Sequence, residues 1–207
     1  MNDRVTLGAV TTVPTAYGEM QMRGYIDNET GAEHVAIVSG CPDKENTIVR
    51  IHSECLTGEA FGSLKCECGP QLHFALEQIA EHGGVVIYLR GQEGRGIGLV
   101  NKLKAYALQE KGLDTVDANL ALGFPEEARE YGAAVAILTE MDVRGIILLS
   151  NNPEKVDCFN GTDIKLVGSE RIVVGISKEN IGYLNTKRNR MSHYIENLDK
   201  ETVVGIS

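Results

Sequence analysis

The sequence lacks features that define several large classes of protein. It has no run of about 18 apolar residues, so we predict no transmembrane helix and expect no membrane partner. The first ten residues, MNDRVTLGAV, contain neither the basic region nor the long apolar stretch of a secretory signal. We therefore expect a cytoplasmic protein.

Basic residues are scarce relative to acidic ones. The 207 residues include 20 Lys and Arg against 29 Asp and Glu, which gives a formal net charge of −9 and a pI near 5.1. Nucleic-acid polymers are bound by clustered Lys and Arg, so we expect no nucleic-acid partner. A small anionic substrate stays open as an interpretation, because it needs only a local concentration of cations.

Cysteine is also scarce, and the odd total of five excludes a framework in which every cysteine is paired. Three of the five, Cys55, Cys66 and Cys68, follow a C-x10-C-x-C pattern. Zinc binds thiolates strongly, and a catalytic zinc site keeps one position open for water. We therefore predict a metal site formed by these three residues.

Two other interpretations of the cysteines stay open at this point. His52 or His73 as a fourth ligand would give a closed, structural zinc site. Without a metal, the three cysteines would be reduced residues of the core. Cys41 and Cys158 have no such neighbours in the sequence, and we expect both to be small buried hydrophobic residues.

The hydrophobic pattern alternates between strand and helix periods. Residues 47–54 alternate as a half-buried strand does. A helix is predicted from Pro70 to a stop at Gly83, because apolar residues recur between them at helical spacing. Residues 85–90 then form a short apolar strand.

The same order recurs further along the chain. The loop GQEGRGIG leads into a helix that is predicted to carry Val100, Leu103 and Ala107 on its apolar face. The remaining elements are a helix after Pro125, a strand at 145–150 and a last helix at about 180–197. This alternation predicts an α/β core with the functional site at the strand ends.

The glycine-rich loop is a candidate for phosphate binding, because backbone N–H groups at the start of a helix attract anions. Its spacing is neither G-x-G-x-x-G nor that of a P-loop, so a tight surface loop and a nucleotide cradle are equally consistent with it. Arg95 within the loop is suited to gripping phosphate oxygens. Further cations that suggest a triphosphate as a set are Arg50, Arg129 and Lys155, although each alone is typical of a solvated surface charge.

Six motifs occur in order along the chain: RIHSEC, KCECG, GQEGRGIGL, KAYALQEKG, ANLALGF and SNNPEK. Together they resemble the successive motifs of the GTP cyclohydrolase II family, over roughly residues 15–195. The resemblance implies a single catalytic domain over residues 1–207, with a mixed sheet, flanking helices and a C-terminal tail at 197–207. It also suggests a homodimer.

The resemblance implies a particular reaction. The family hydrolyses GTP to 2,5-diamino-6-(ribosylamino)pyrimidin-4-one 5′-phosphate, formate and pyrophosphate, the first step of riboflavin synthesis. It implies one catalytic Zn²⁺ per chain on Cys55, Cys66 and Cys68, for attack of water at C8 of guanine. Mg²⁺ is expected with the GTP phosphates.

The resemblance also assigns residues to the substrate. Tyr106 would lie next to the reacting ring, where a phenol is able to orient water or assist proton transfer. The nucleotide-binding residues would be Arg50, Ile51, His52, Ser53, Glu54, Gln71, Glu93, Gly94, Arg95, Thr115, Ser150 and Lys155.

Arg129 corresponds to the arginine that is proposed in the family as the nucleophile toward the α-phosphorus. A guanidinium is almost always protonated, so we expect a transition-state clamp instead. The family has aspartate as a base two residues earlier, where this chain has Glu127. Residues two apart do not face each other on a regular helix, so Glu127 acts as a base for Arg129 only if this segment is irregular or lies at a helix end. The alternative interpretation of Glu127 is a favourable negative charge in the first turn of a helix.

Two alternatives to the complete reaction follow from the sequence. A specialised paralogue would stop at the formamidopyrimidine or serve another pathway, and Glu127 is the residue that suggests it. A non-catalytic zinc module would bind nucleotide or RNA and use the cysteines structurally.

Overall fold

The computed structural model describes residues 3–195. The strands are β1 (Val5–Thr15), β2 (Gly18–Asp27), β3 (Glu33–Ser39), β4 (Thr47–Ser53), β5 (Gly84–Leu89), β6 (Gly145–Leu149) and β7 (Lys165–Glu170). The helices are α1 (Leu56–Glu59), α2 (Cys68–His82), α3 (Leu99–Gln109), α4 (Thr115–Ala121), α5 (Gly132–Glu140), α6 (Pro153–Asp157) and α7 (Ile181–Arg190). No helix within this part of the chain is long and apolar enough to cross a membrane.

The chain divides into two compact units. Among the described residues, the sheet unit comprises 3–52, 73–90 and 130–172, and the cysteine unit comprises 53–72, 91–129 and 173–195. A single catalytic domain over residues 1–207 stays a prediction, and the predicted tail at 197–207 lies outside the described residues.

The sheet unit contains one seven-stranded mixed sheet in the order β1-β2-β3-β5-β4-β6-β7. The pairs β1–β2, β2–β3 and β3–β5 are antiparallel, whereas β4–β6 and β6–β7 are parallel. Helix α5 packs against β1 and β5. The predicted fold class, α/β with a mixed sheet and flanking helices, is confirmed.

The local predictions hold best where the apolar pattern is strong. Strands β4, β5 and β6 and helix α2 lie where they were expected, and Pro70 falls in the first turn of α2. The half-buried interpretation of β4 was wrong, because β4 is an interior strand of the sheet and both of its faces are buried.

Three helix predictions need correction. Helix α5 begins at Gly132, and residues 125–131 are irregular. Helix α3 is present, but its predicted apolar face is exposed, with Val100 at 65% and Leu103 at 50%, while Lys102 and Ala105 are buried. Helix α7 ends at Arg190, so residues 191–195 are not helical, and the predicted end at 197 lies outside the described residues.

The two remaining cysteines also differ from expectation. Cys41 is exposed and Cys158 is only half-buried, so neither is the buried core residue that was predicted. Burial is still sufficient at Cys158 to raise the pKa of its thiol to about 12.

Candidate metal centre

Cys55, Cys66 and Cys68 come together in the cysteine unit. Their sulfur atoms lie within 4.8 Å of one another, and the Sγ atoms of Cys55 and Cys66 are 3.6 Å apart. Among the described residues, no fourth Cys, His, Asp or Glu belongs to this group. Three soft donors at this separation fit a thiophilic metal ion and leave a coordination position for a non-protein ligand.

The close approach of the three thiols depends on glycine. Cys55 caps the single turn of α1, and a Cβ atom at Gly58 in that turn would lie 2.7 Å from Cys66 Sγ and 3.2 Å from Cys55 Sγ. A Cβ at Gly69 would lie 2.6 Å from the Gly58 carbonyl oxygen. The loop therefore closes around the thiols only because both positions lack a side chain.

The three thiols titrate unequally. The pKa of Cys55 is lowered, because Cys66 and Cys68 hydrogen-bond to its sulfur and the positive charge of Lys102 lies beside it. The pKa of Cys66 is raised to about 11 by its hydrogen bond to Cys55 and by burial, and the pKa of Cys68 is raised for the same reasons. Cys55 is therefore the first of the three to carry a negative charge.

Lys102 lies on α3, 8% exposed, and contacts the thiol group directly. Its Nζ donates hydrogen bonds to Cys55 Sγ at 3.1 Å, Thr57 Oγ1 at 2.8 Å and Glu93 Oε1 at 2.5 Å. Burial alone would lower the pKa of Lys102, but the charge of Cys55 and the hydrogen bond to Glu93 outweigh it and raise the pKa. The ammonium group therefore stays charged next to the thiols.

Tyr106 lies one turn further along α3. Lys65 Nζ lies 4.8 Å from the centroid of the Tyr106 ring, and Lys102 Nζ lies 5.7 Å from it. Burial raises the pKa of Tyr106 to about 12, outweighing the effects of Lys102 and of the hydrogen bond with Thr57. The phenol is therefore protonated at neutral pH and able to donate a hydrogen bond.

The glycine-rich loop is neither helix nor strand, and Arg95 within it has a φ of 64°, a conformation that non-glycine residues rarely adopt. Arg95 is 7% exposed and donates from Nη1 to the Glu126 carbonyl oxygen at 3.4 Å. Its Nη2 is buried and has no hydrogen-bond partner within the described chain. A buried guanidinium nitrogen with an unused donor is suited to an anionic ligand.

Glu127 and Arg129 are paired in the irregular segment before α5. Arg129 donates from Nε to Glu127 Oε1 at 2.7 Å and from Nη2 to Glu127 Oε2. Burial would raise the pKa of Glu127, but the hydrogen bonds and charge of Arg129 lower it. The condition stated for this pair, an irregular backbone, is met, and the interpretation as a first-turn helix charge was wrong.

The other predicted residues of the cysteine unit have varied surroundings. Glu54 Oε2 accepts a hydrogen bond from Gly91 N at 2.7 Å, and Gln71 Nε2 donates to Glu67 Oε1 at 3.4 Å. Ser53 Oγ is buried with no hydrogen-bond partner in the part of the chain described here. Thr115 is the first residue of α4.

Five predicted nucleotide-binding residues belong to the sheet unit: Arg50, Ile51, His52, Ser150 and Lys155. Strand β4 pairs in parallel with β6, and two of the five residues make contacts that follow this pairing. Arg50 Nη1 donates to the Leu149 carbonyl at 2.9 Å, and Lys155 Nζ donates to the Ile51 carbonyl at 2.9 Å. Arg50 and Lys155 are both buried, so their interpretation as solvated surface charges was wrong.

The sequence interpretation missed a second buried ion pair. Glu67 lies between two of the cysteines, and its Oε1 accepts a hydrogen bond from Lys187 Nζ of α7 at 2.6 Å. The Lys187 ammonium lies 4.4 Å from the centroid of the Tyr183 ring, and the Arg95 guanidinium lies 5.7 Å from the same centroid. A charged residue inside a crowded cysteine motif was the one signal that a cationic partner was needed.

These features define an α/β protein with three thiols placed so that they could hold a metal ion. A sequence model of the GTP cyclohydrolase II family matches residues 7–171. The chain belongs to the GTP cyclohydrolase II family.

Curated relatives agree with this family assignment. The chain is 51% identical over 191 residues to GTP cyclohydrolase-2 of Streptomyces coelicolor, covering 92% of this chain and 86% of that protein. It is 50% identical to the riboflavin biosynthesis protein RibBA of Salinispora arenicola, covering 93% of this chain and 46% of that protein. The chain thus spans about half the length of RibBA relatives, as it does for RibBA of Nocardia farcinica, of which it covers 47%.

A solved structure gives a weaker likeness. RibBX of A. baumannii, a two-domain 3,4-dihydroxy-2-butanone 4-phosphate synthase, aligns with a TM-score of 0.45 and 19% identity, over 83% of this chain and 41% of that chain. The family assignment rests on the family model and on the curated relatives.

Proposed function

We propose that this chain is a zinc-dependent GTP cyclohydrolase II that hydrolyses GTP to 2,5-diamino-6-(ribosylamino)pyrimidin-4-one 5′-phosphate, formate and pyrophosphate, the first step of riboflavin synthesis. The observation that carries the proposal is the group of three thiols within 4.8 Å, with no fourth protein ligand among the described residues. A closed structural zinc site would need that fourth ligand, so the arrangement favours hydrolysis over a non-catalytic module.

Cys55, Cys66 and Cys68 would bind one Zn²⁺, which supplies Lewis-acid activation of water for attack on C8 of guanine. Tyr106 lies on the same unit with a protonated phenol, and its role is to donate a hydrogen bond to the opening ring or to the attacking water. These two features account for the ring-opening half of the reaction.

Arg129 and Glu127 serve the phosphate half. A protonated Arg129 stabilises the charge that develops on the α-phosphate as pyrophosphate leaves, and Glu127 holds the guanidinium in a fixed orientation. The two-point pair keeps Arg129 charged, which favours a clamp over a nucleophile. Mg²⁺ accompanies the triphosphate.

Nucleotide binding is assigned to residues in each of the two units. In the cysteine unit, Arg95 offers its unused Nη2 to a phosphate oxygen, and the backbone N–H groups near Gly94 add to the same positive region. The other residues assigned to nucleotide binding are Ser53, Glu54, Gln71, Glu93 and Thr115 in the cysteine unit, and Arg50, Ile51, His52, Ser150 and Lys155 in the sheet unit.

Incubation of the zinc-loaded chain with GTP and Mg²⁺ tests the proposal, with formate and pyrophosphate measured separately. Both should be released in equal amounts, and Cys66→Ser should lose bound zinc and ring opening together. Cys41→Ser, which removes an exposed thiol, should retain both. Release of neither product by the zinc-loaded chain would exclude the assignment.

A second candidate is a paralogue that stops at the formamidopyrimidine, which the Glu127 substitution favours. Mass spectrometry of the product distinguishes the two, because the partial product retains the formyl group.

A homodimer is also part of the proposal, and the exposed Val100 and Leu103 of α3 support it as an apolar surface. Light scattering on the parent and on Leu103→Glu tests the oligomeric state.

A further inference from the structure

The ammonium group of Lys102 has all of its hydrogen-bonding capacity in use. A lysine has three N–H donors, and the three acceptors around Nζ are Cys55 Sγ, Thr57 Oγ1 and Glu93 Oε1, at 3.1, 2.8 and 2.5 Å. Because each donor has one acceptor, the position of Nζ is fixed relative to the Cys55 sulfur.

The partner of Lys102 holds the backbone of the same segment. The second carboxylate oxygen of Glu93 accepts a hydrogen bond from the Leu56 N–H at 2.6 Å. The Lys102–Glu93 pair therefore contacts the side chain of Cys55, the backbone of Leu56 and the side chain of Thr57, three consecutive residues that begin α1. The pair therefore fixes the Cys55 side of the cluster of three cysteines.

Stability alone does not account for this arrangement. A buried ion pair often contributes little compared with apolar side chains of the same volume, because both charges must be removed from water. The contact with sulfur suggests a different purpose. An ammonium group has no lone pair for a metal, so Lys102 cannot be a ligand itself, but its N–H···S hydrogen bond fixes the direction of the ligand's lone pairs.

We propose that Lys102 is a positioning residue of the metal centre, which holds the Cys55 thiolate in the orientation that a metal ion requires. This inference rests on the proposed metal site and not on the identity of the substrate. Loss of a group that orients a metal ligand typically weakens metal binding by about 10- to 100-fold. We expect a loss of that size when the Lys102 ammonium is removed.

The test compares Lys102→Met with Lys104→Met in the full chain. Lys104 lies on the same helix but is exposed, and it contacts Asn101 at 3.3 Å. Zinc affinity is measured by competition with a chromophoric chelator, and the sulfur-to-metal charge-transfer bands are recorded after loading with Co²⁺. Lys102→Met should bind zinc about 10- to 100-fold more weakly and show altered Co²⁺ bands, whereas Lys104→Met should match the parent.

A second variant separates positioning from folding. Glu93→Gln combined with Lys102→Met removes both buried charges, while the introduced amide keeps an oxygen for the Leu56 N–H, so this chain should fold even where the single variant does not. It should still bind zinc weakly. Parental zinc affinity in either folded variant would overturn the proposal, as would a parent chain that binds no metal. A parent that binds zinc but does not hydrolyse GTP would refute only the proposed reaction.

Discussion

Arg129 and Glu127 form a two-point ion pair across an irregular stretch of backbone, and the Arg129 N–H also donates to Glu127 Oε1 at 3.0 Å. Three hydrogen bonds from one residue therefore converge on one carboxylate. Glu127, which stands where the resemblance implies an aspartate, still forms the pair with Arg129. The pair thus fixes the direction in which the Arg129 guanidinium points.

We expect Glu127→Gln to slow pyrophosphate release by about 10- to 100-fold, because a charge-assisted hydrogen bond contributes about 1.5–3 kcal/mol. Zinc content should not change, since Glu127 is not among the described side chains that form the potential metal-binding group. Stopped assays with separate detection of formate and pyrophosphate measure the effect. Glu126→Gln is the matched control, because Glu126 is the adjacent carboxylate and its Oε1 has no hydrogen-bond partner among the described residues. Equal rates in the two variants would remove Glu127 from the mechanism.

A methyl group at Gly58 should disrupt the arrangement of the three cysteine thiols. The added Cβ would lie 2.7 Å from Cys66 Sγ, so Gly58→Ala forces the sulfurs apart, and we expect at least about a 10-fold loss of zinc affinity. Gly182→Ala is the control, because a Cβ there meets nothing within 4 Å. Zinc titration of both variants decides the point, and parental affinity in Gly58→Ala would contradict the packing described here.

Removal of the Lys187 charge should destabilise the chain. Lys187→Met leaves the buried Glu67 carboxylate without its cation, and loss of one member of a buried pair typically costs about 3–5 kcal/mol. Urea denaturation of the metal-free chain measures the free energy of unfolding. The control is Arg188→Met, because the hydrogen bonds that Arg188 makes within the described residues are exposed and go to Asn185 and Asn189. This variant should change the free energy of unfolding by less than about 0.5 kcal/mol. Similar values for the two variants would show that the pair contributes no stability.

Asp27 should make the sheet unit sensitive to acid. Burial raises its pKa, but hydrogen bonds from Arg4, the Glu29 N–H and Thr30 outweigh this effect and lower the pKa to about 2. A lowered pKa in the folded state means that the contribution is complete above about pH 4, the value for an unfolded aspartate, and is lost as the pH falls through 2. Asp27→Asn should remove about 2 kcal/mol of this pH-dependent stability.

Unfolding free energies at pH 7, 4 and 2.5 provide the measurement for Asp27→Asn. The exposed Asp163 supplies the control through Asp163→Asn. If Asp27→Asn and the parent lose the same stability between pH 4 and 2.5, another group is responsible for the acid sensitivity.

Local sequence patterns predicted much of the fold. Strand β5 and helix α2 are specified by runs of apolar residues at strand or helical spacing, which do not depend on distant partners. The start of α5 was not predictable in the same way. Residues 125–131 stay irregular, and within them the Ala128 N–H donates to the Arg95 carbonyl, a contact with a loop far away in the sequence.

The candidate site was also only partly predictable from local sequence patterns. The three cysteines were recognisable from their spacing, because thiolates are uncommon and their chemistry is specific. Lys102 was not, because the apolar residues Val100 and Leu103 indicated the opposite face of α3 as the buried one. Its burial depends on Cys55 and Glu93, and no periodicity encodes such contacts. Lys187 was missed for a simpler reason, since its partner Glu67 is 120 positions away.

The Lys187–Glu67 pair has a consequence for synthesis of the chain on the ribosome. A polypeptide emerges from its N-terminus, at about 5–20 residues per second, so the segment that carries the cysteines is available well before α7. During that interval Glu67 has no Lys187, and the cysteine loop lacks a partner that it has in the finished chain. The nascent cysteine unit is therefore expected to reach its final structure only after α7 has left the exit tunnel.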